Sequence, residues 1–260
     1  MLRFSTNISM MFREYSLLDR FQVAKDHGFG AIEIQFPYEL TPEELFAAKQ
    51  NAEVEITVIN ISAGDLSRGG PGIASVPGRE DEFKAAVEEA YTYAEKLKPL
   101  NINVLAGCPP MDLFEREQCL DVLASNLNYA AVNLEETGAT ILTEAINTDD
   151  RPGFLLDSTS AAIEIIKRAG SKNLAIQYDI YHMQIMEEDL IKTMRNNLNR
   201  IGHIQFADTP DRHEPGTGEI DFPHLFGAID KMGWGGWLAA EYVPSHHTEN
   251  SLEWMPKPAI

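Results

Sequence analysis

Four apolar runs of the sequence each carry one polar residue near their end: Glu144 in ATILTEA, Asp179 in LAIQYD, Gln205 in HIQFAD and Glu241 in WLAAEY. Read as strands, whose side chains alternate between two faces, these runs put the four polar groups on one face. By the same alternation Leu142, Gln177, His203 and Ala239 lie one layer beneath them. Three carboxylates and one amide are thereby expected to converge. Carboxylates crowded into a half-buried space repel one another, and burial raises the cost of each charge. A cation between them is the expected resolution. An oxygen set without thiolate suits Mg²⁺ or Mn²⁺ better than a structural zinc ion. His182, one helical turn after Asp179 in YDIYHM, can reach the same space, and His203 is expected to orient Gln205 from below.

Such a convergence needs a scaffold that brings several strand ends to one place. Short β-branched runs predict strands over Leu2–Asn7, Ala31–Gln35, Val54–Ile61, Asn101–Ala106, Ala139–Ala145, Leu174–Asp179, His203–Ala207 and Trp237–Tyr242. Amphipathic segments between them predict helices over Leu17–His27, Pro42–Asn51, Glu80–Lys98, Glu115–Thr137, Thr159–Ala169, Met183–Asn199 and Pro223–Met232. Thr41-Pro42-Glu43-Glu44 supplies an N-cap followed by proline, and Thr137-Gly138 and Ala169-Gly170 place glycine past helix ends. Strict β/α alternation through eight strands predicts an α/β protein, a single (β/α)8 TIM barrel over residues 1–260. An open doubly wound sheet is the competing architecture. In a barrel, the rim at the carboxyl ends of the strands carries the chemistry, which is where the four polar residues fall.

The charge balance restricts what the barrel can bind. A formal net charge of −19 repels polyphosphate, so neither nucleic acid nor an anionic membrane is an expected partner. Cys108 and Cys119 form no disulfide framework and no zinc-finger spacing, and reduced thiols point to the cytoplasm. The amino-terminal MLRFSTNISMMF lacks the apolar run of a signal peptide, and no stretch reaches membrane-span length. The least regular interior segment, SAGDLSRGGPGIASVPGR over Ser62–Arg79, is long enough to be a functional loop. Oligomeric state stays open, a homo-oligomer included.

Several stretches together resemble the hydroxypyruvate isomerase family: AIQYDIYHMQ, HIQFADTPDRHEPGTGEIDF, AAEYVP and the loop GDLSRGGPGIASVPGREDEF. The resemblance runs along essentially the whole chain, and RHEPGTGEI is its most specific segment. That family belongs to the xylose-isomerase-like barrels, with ketose 3-epimerases and endonuclease IV, and its branch acting on 2-oxo-tetronate is the most similar. The resemblance implies metal ligation by Glu144, Asp179, Gln205 and Glu241, and makes Glu144 and Glu241 the proton-transferring pair. It further implies that His182 and Arg212 touch oxygens of a small sugar-acid substrate. Where the epimerases and the endonuclease carry a metal-binding histidine, this chain has Gln205.

The implied reaction interconverts 2-oxo and 3-oxo hydroxy acids through an enediolate. The first expected substrate is 2-oxo-tetronate, with hydroxypyruvate and then ketose 3-epimerisation as alternatives. Such an acid needs its carboxylate held. Arg212 is the first candidate, because a guanidinium grips a carboxylate through parallel hydrogen bonds, and Arg68 in the glycine-rich loop is the second. A nuclease like endonuclease IV is a remote alternative: Asp211 and His213 match its ligands, but the third and fourth strands end in Ser62 and Gly107-Cys108 without histidine. A sugar-acid binder without catalysis is the other, and the intact glutamate pair speaks against it.

Overall fold

In a computed structural model that describes residues 1–256, eight strands hydrogen-bond in sequence order into a closed, all-parallel barrel. They are β1 (Arg3–Asn7), β2 (Ala31–Ile34), β3 (Glu55–Asn60), β4 (Asn101–Val104), β5 (Thr140–Glu144), β6 (Leu174–Asp179), β7 (Ile201–Phe206) and β8 (Trp237–Ala240). The outer layer is α1 (Asp19–Asp26), α2 (Pro42–Ala52), α3 (Glu80–Leu97), α4 (Arg116–Asn133), α5 (Thr159–Ala169), α6 (Ile180–Met186), α7 (Leu190–Asn197) and α8 (Phe222–Lys231). The expected barrel is present, and the doubly wound sheet is excluded by the β1–β8 pairing that closes the ring. No helix of the described residues is long and apolar enough to cross a membrane.

Local signals set most helix ends. At α2 the Thr41 hydroxyl accepts from the Glu44 amide while the Glu44 carboxylate accepts from the Thr41 amide, a reciprocal cap. The expected helix Met183–Asn199 is corrected to two, because two aspartates cap separate starts. Asp179 accepts from the Tyr181 amide at 2.9 Å and starts α6 directly off β6, and Asp189 accepts from the Lys192 amide at 2.9 Å and starts α7. Likewise α4 stops at Asn133, and the expected remainder is a separate 3₁₀ turn over Glu135–Thr137.

Two layers of packing hold the strand ends in place. Between sheet and helices lies a continuous apolar core that includes Ile32, Ile102, Ile141, Ile176 and Leu238. Outside β1 and β7, the Trp254 ring meets Phe4 at 5.2 Å and Phe206 at 5.1 Å, edge to face in both cases. The Trp254 indole N–H also donates to the Tyr242 hydroxyl at 3.1 Å, which pins the backbone beside Glu241. Inside the barrel the layers are unusually polar near the carboxyl ends: Asn7, Glu33, Asn103, Gln177, His203 and Gln205 are all buried.

Candidate active site

The four strand-end residues come together as expected, on β5, at the end of β6, on β7 and one residue past β8. Strand register aligns Asp179 with Gln205 and Glu144 with Gln177. A cavity of about 200 Å³ opens there, with Glu144, Gln177, His182, Arg212 and Glu241 in its wall. That volume is below the roughly 300–1,000 Å³ that suits a drug-sized ligand, so the site fits a small molecule.

Each glutamate is clamped through one oxygen. Glu144 Oε2 accepts from Asn103 Nδ2 at 3.1 Å and Gln177 Nε2 at 2.9 Å, from the strands on either side. Glu241 Oε1 accepts from Asn7 Nδ2 at 2.8 Å and from Gln35 Nε2 at 3.1 Å. The second oxygen of Glu144 makes no hydrogen bond among the described residues, and that of Glu241 takes only Arg212 Nη2, at 2.7 Å. Two amides on each carboxylate fix its plane, with the other oxygen of Glu144 unengaged and that of Glu241 facing Arg212.

The electrostatics carry the signature expected of crowded carboxylates. Burial holds the Glu144 carboxyl well above its usual range, and the charges of Glu241 and Asp179 add to the effect. Burial likewise raises Glu241 to about 8, against the lowering influence of Arg212. Asp179 is raised too, again by burial and again opposed by Arg212. Burial works against the Arg212 charge, but the surrounding Glu241, Asp179 and Glu144 outweigh it and its pKa is raised.

A divalent cation fits this donor set. Gln205 Oε1 is buried and has no hydrogen-bond partner among the described residues, an orphaned acceptor beside a group of under-neutralised carboxylates. By distance alone Glu144, Asp179 and His182 could also hold a metal, since their ligand atoms lie within 4.8 Å of one another. The hydrogen bonding of His182 gives it another role. Asn147 Oδ1 accepts from the Asp150 amide at 2.7 Å, so its Nδ2 faces His182 Nδ1, at 2.8 Å. Nδ1 is therefore the acceptor, and Nε2 carries the hydrogen toward the cavity. Burial first, then the nearby Arg212 charge, holds the His182 pKa well below its usual value. A neutral ring with an N–H donor is suited to a substrate oxygen.

Arg212 reaches the site, held against Asp179 Oδ2 at 3.2 Å and Glu241 Oε2 and stacked 4.9 Å from the centre of the Tyr181 ring. Its backbone is left-handed, with φ of 56°. The loop is forced into this shape by Asp208, whose carboxylate accepts from the amides of Thr209, Gly216, Gly218 and Ile220. Gly218 is required there, since a Cβ would lie 1.8 Å from the Thr209 carbonyl oxygen. Arg68 is corrected: it is exposed at the end of a 3₁₀ turn over Leu66–Arg68 and does not line the cavity, whereas Leu66 and Ser67 do. The arginine of that loop which is engaged is Arg79, bonded to Asp65, Glu82 and the Gly72 carbonyl. His203 does not touch Gln205 directly; its ring bonds to Glu33, which in turn holds Gln205.

Sequence reasoning missed Asn7, Glu33, Gln35, Asn103, Asn147 and the cavity-lining Arg151. Glu33 carried a signal, a lone polar residue in the apolar strand AIEI, whereas Asn7 in RFSTN and Asn103 in NINV stand beside other polar residues.

Comparison with known proteins gives three kinds of match. The family model described as xylose isomerase-like TIM barrel matches residues 21–257. Hydroxypyruvate isomerase of Escherichia coli (strain K12) is 46% identical, and 2-oxo-tetronate isomerase of Cupriavidus necator 39%, each over 98% of both chains. Among solved structures, an AP endonuclease, family 2, from Brucella melitensis superposes with a TM-score of 0.93 at 35% identity, over 98% of both chains.

Proposed function

The chain belongs to the xylose isomerase-like TIM barrel family, and from that premise we propose that it is an isomerase interconverting small 2-oxo and 3-oxo hydroxy acids through an enediolate. One observation carries the reading: two glutamates, each clamped through one oxygen by two carboxamides, line one small cavity. A binder has no use for a second base. A 1,2-shift of a carbonyl takes a proton from the hydroxyl-bearing carbon and delivers one to its neighbour, and a pair of bases can divide those two transfers between them.

Glu144 and Glu241 fill those roles. Without the ion, burial raises both carboxyls above their usual range, and the positive charge of a bound ion would draw them down again. His182 Nε2–H donates to a substrate oxygen, and Arg212 holds the acid's carboxylate through its remaining guanidinium donors. Glu144, Asp179, Gln205 and Glu241 would hold Mg²⁺ or Mn²⁺. When bound, such an ion supplies positive charge that stabilises negative charge on the substrate's oxygens. Free thiols at Cys108 and Cys119 accord with a reducing, cytoplasmic setting.

The four-carbon 2-oxo-tetronate is the substrate that the motifs suggest. The three-carbon hydroxypyruvate is a second reading, favoured by the 46% identity with the Escherichia coli enzyme. The Brucella melitensis structure raises a nuclease reading, but its support here is thin: His213 Nδ1 bonds the Val243 carbonyl, away from the carboxylates, and the net charge is −19.

The test is a panel of three- and four-carbon 2-oxo hydroxy acids and neutral ketoses, assayed with Mg²⁺, with Mn²⁺ and after chelation. Turnover of at least one acid, lost on chelation and restored by either ion, is the expected result. Turnover of neutral ketoses alone, or nicking of abasic DNA without any acid turnover, contradicts it.

A further inference from the structure

Glu33 stands apart from the groups considered so far. It lies on β2, three strands round the ring from β7, yet its carboxylate is engaged by two β7 side chains. It is 1% exposed, and a carboxylate that deep is retained only where its oxygens are satisfied. Oε1 bonds His203 Nε2, while Oε2 accepts from Gln205 Nε2 at 2.8 Å and from Asn7 Nδ2 at 3.1 Å. A packed barrel interior has no structural need for an acid there, since branched apolar side chains fill such layers. What distinguishes this acid is where its partners lead.

Gln205 is one of the four strand-end groups, and Asn7 is one of the two amides clamping Glu241. A carboxamide has a donating and an accepting end, and Glu33 Oε2 accepts from the carboxamide nitrogens of both Gln205 and Asn7. Glu33 therefore selects between the two orientations of the Gln205 amide: nitrogen toward Glu33, and Oε1, which has no partner among the described residues, left to point elsewhere. The same oxygen of Glu33 holds the Asn7 nitrogen that also reaches Glu241 Oε1 at 2.8 Å. Asn7 cannot turn over instead, because its Oδ1 already accepts from the Ser9 amide at 3.0 Å.

We infer that Glu33, fixed by His203, is a positioning residue that orients the Gln205 carbonyl oxygen as a cation ligand and, through Asn7, sets the plane of the base Glu241. The inference rests on the proposed cation site and adds to it a buried acid that never touches the ion or the substrate. Partners of this kind typically influence metal affinity or activity by about 10–100-fold.

The experiment is Mn²⁺ titration of the chelator-treated full chain, followed by the electron paramagnetic resonance of free Mn²⁺, with melting curves as a control on folding. Glu33→Gln offers Gln205 a partner that can donate, so the Gln205 amide is free to reverse. Mn²⁺ affinity should fall about 10–100-fold, and kcat with it. The exchanged pair Glu33→Gln with Gln205→Glu restores a donor facing a carboxylate and keeps an oxygen toward the cation. It should recover most of the lost Mn²⁺ affinity, which a merely structural role for Glu33 does not predict. Unchanged Mn²⁺ affinity in Glu33→Gln overturns the inference while leaving the cation site standing. So does failure of the exchanged pair to bind better than Glu33→Gln, and this comparison decides the matter if Glu33→Gln melts far below the unsubstituted chain. Absence of Mn²⁺ binding by the unsubstituted chain overturns both.

Discussion

A carboxylate with one oxygen gripped by two amides and the other oxygen open behaves differently from a freely rotating one. Its open oxygen is aimed, and its basicity is set by surroundings that cannot relax. Glu144 has this arrangement through Asn103 and Gln177, and Glu241, gripped by Asn7 and Gln35, differs in that Arg212 holds its second oxygen. Replacement by glutamine keeps the volume and removes the base. Glu144→Gln and Glu241→Gln should each lower kcat by about 10²–10⁴ while melting within a few degrees of the unsubstituted chain, measured by steady-state kinetics and circular dichroism. The four strand-end residues could be read in the sequence because strand alternation is a strong periodic constraint. The clamping amides could not, since an asparagine at a strand end such as Asn7 looks the same whether it holds a catalytic group or ends a strand. The role of Arg68 was misread for a related reason: sequence shows a cation in a glycine-rich loop but not which way the loop turns it.

At the scale of elements, the loop after β7 shows how a specific motif is explained by backbone chemistry. The RHEPGTGEI segment owes its shape to Asp208, fully buried, which gathers four backbone amides, and to Gly218, where no side chain fits. Their joint effect is to hold Arg212 in a left-handed conformation that reaches Asp179 and Glu241. Asp208→Ala leaves those amides without their acceptor, and stability should drop by on the order of 3 kcal/mol in urea melts. KM for the acid should rise several-fold with Mn²⁺ affinity unchanged, because Arg212 is released while the strand-end ligands stay put. The helix split between α6 and α7 belongs to the same scale. Amphipathic spacing runs smoothly across Met183–Asn199, and the capping Asp189 divides it, while the strand-end Asp179 sets the earlier start of α6.

For the molecule as a whole, the closed barrel was legible from eight alternating β/α units, and its ring is what brings residues as far apart as Asn7 and Glu241 into contact. Concentrating raised-pKa acids at one end has a consequence for stability. Glu144, Asp179 and Glu241 bind protons more tightly in the folded chain than in the unfolded one. The stabilisation from their protonated forms is fully present below their ordinary pKa values of about 4. It is lost as pH rises through the folded values, about 8 for Glu241. The melting temperature of chelated protein should therefore fall between about pH 5 and pH 8.5, and saturating Mn²⁺ should flatten that slope by neutralising the same charges.

The central claim is that two glutamates three strands apart on the rim pass protons to and from one small acid with a cation present, and isomerisation in D₂O reads it most directly. With one base removing the proton and another delivering its own solvent-exchanged one, the 3-oxo product formed from the 2-oxo acid should carry a single deuterium at C2 in nearly every molecule, by proton nuclear magnetic resonance, and only while Mg²⁺ or Mn²⁺ is bound. Product that carries the substrate's C3 hydrogen transferred to C2, or forms at the full rate after chelation, would contradict the account.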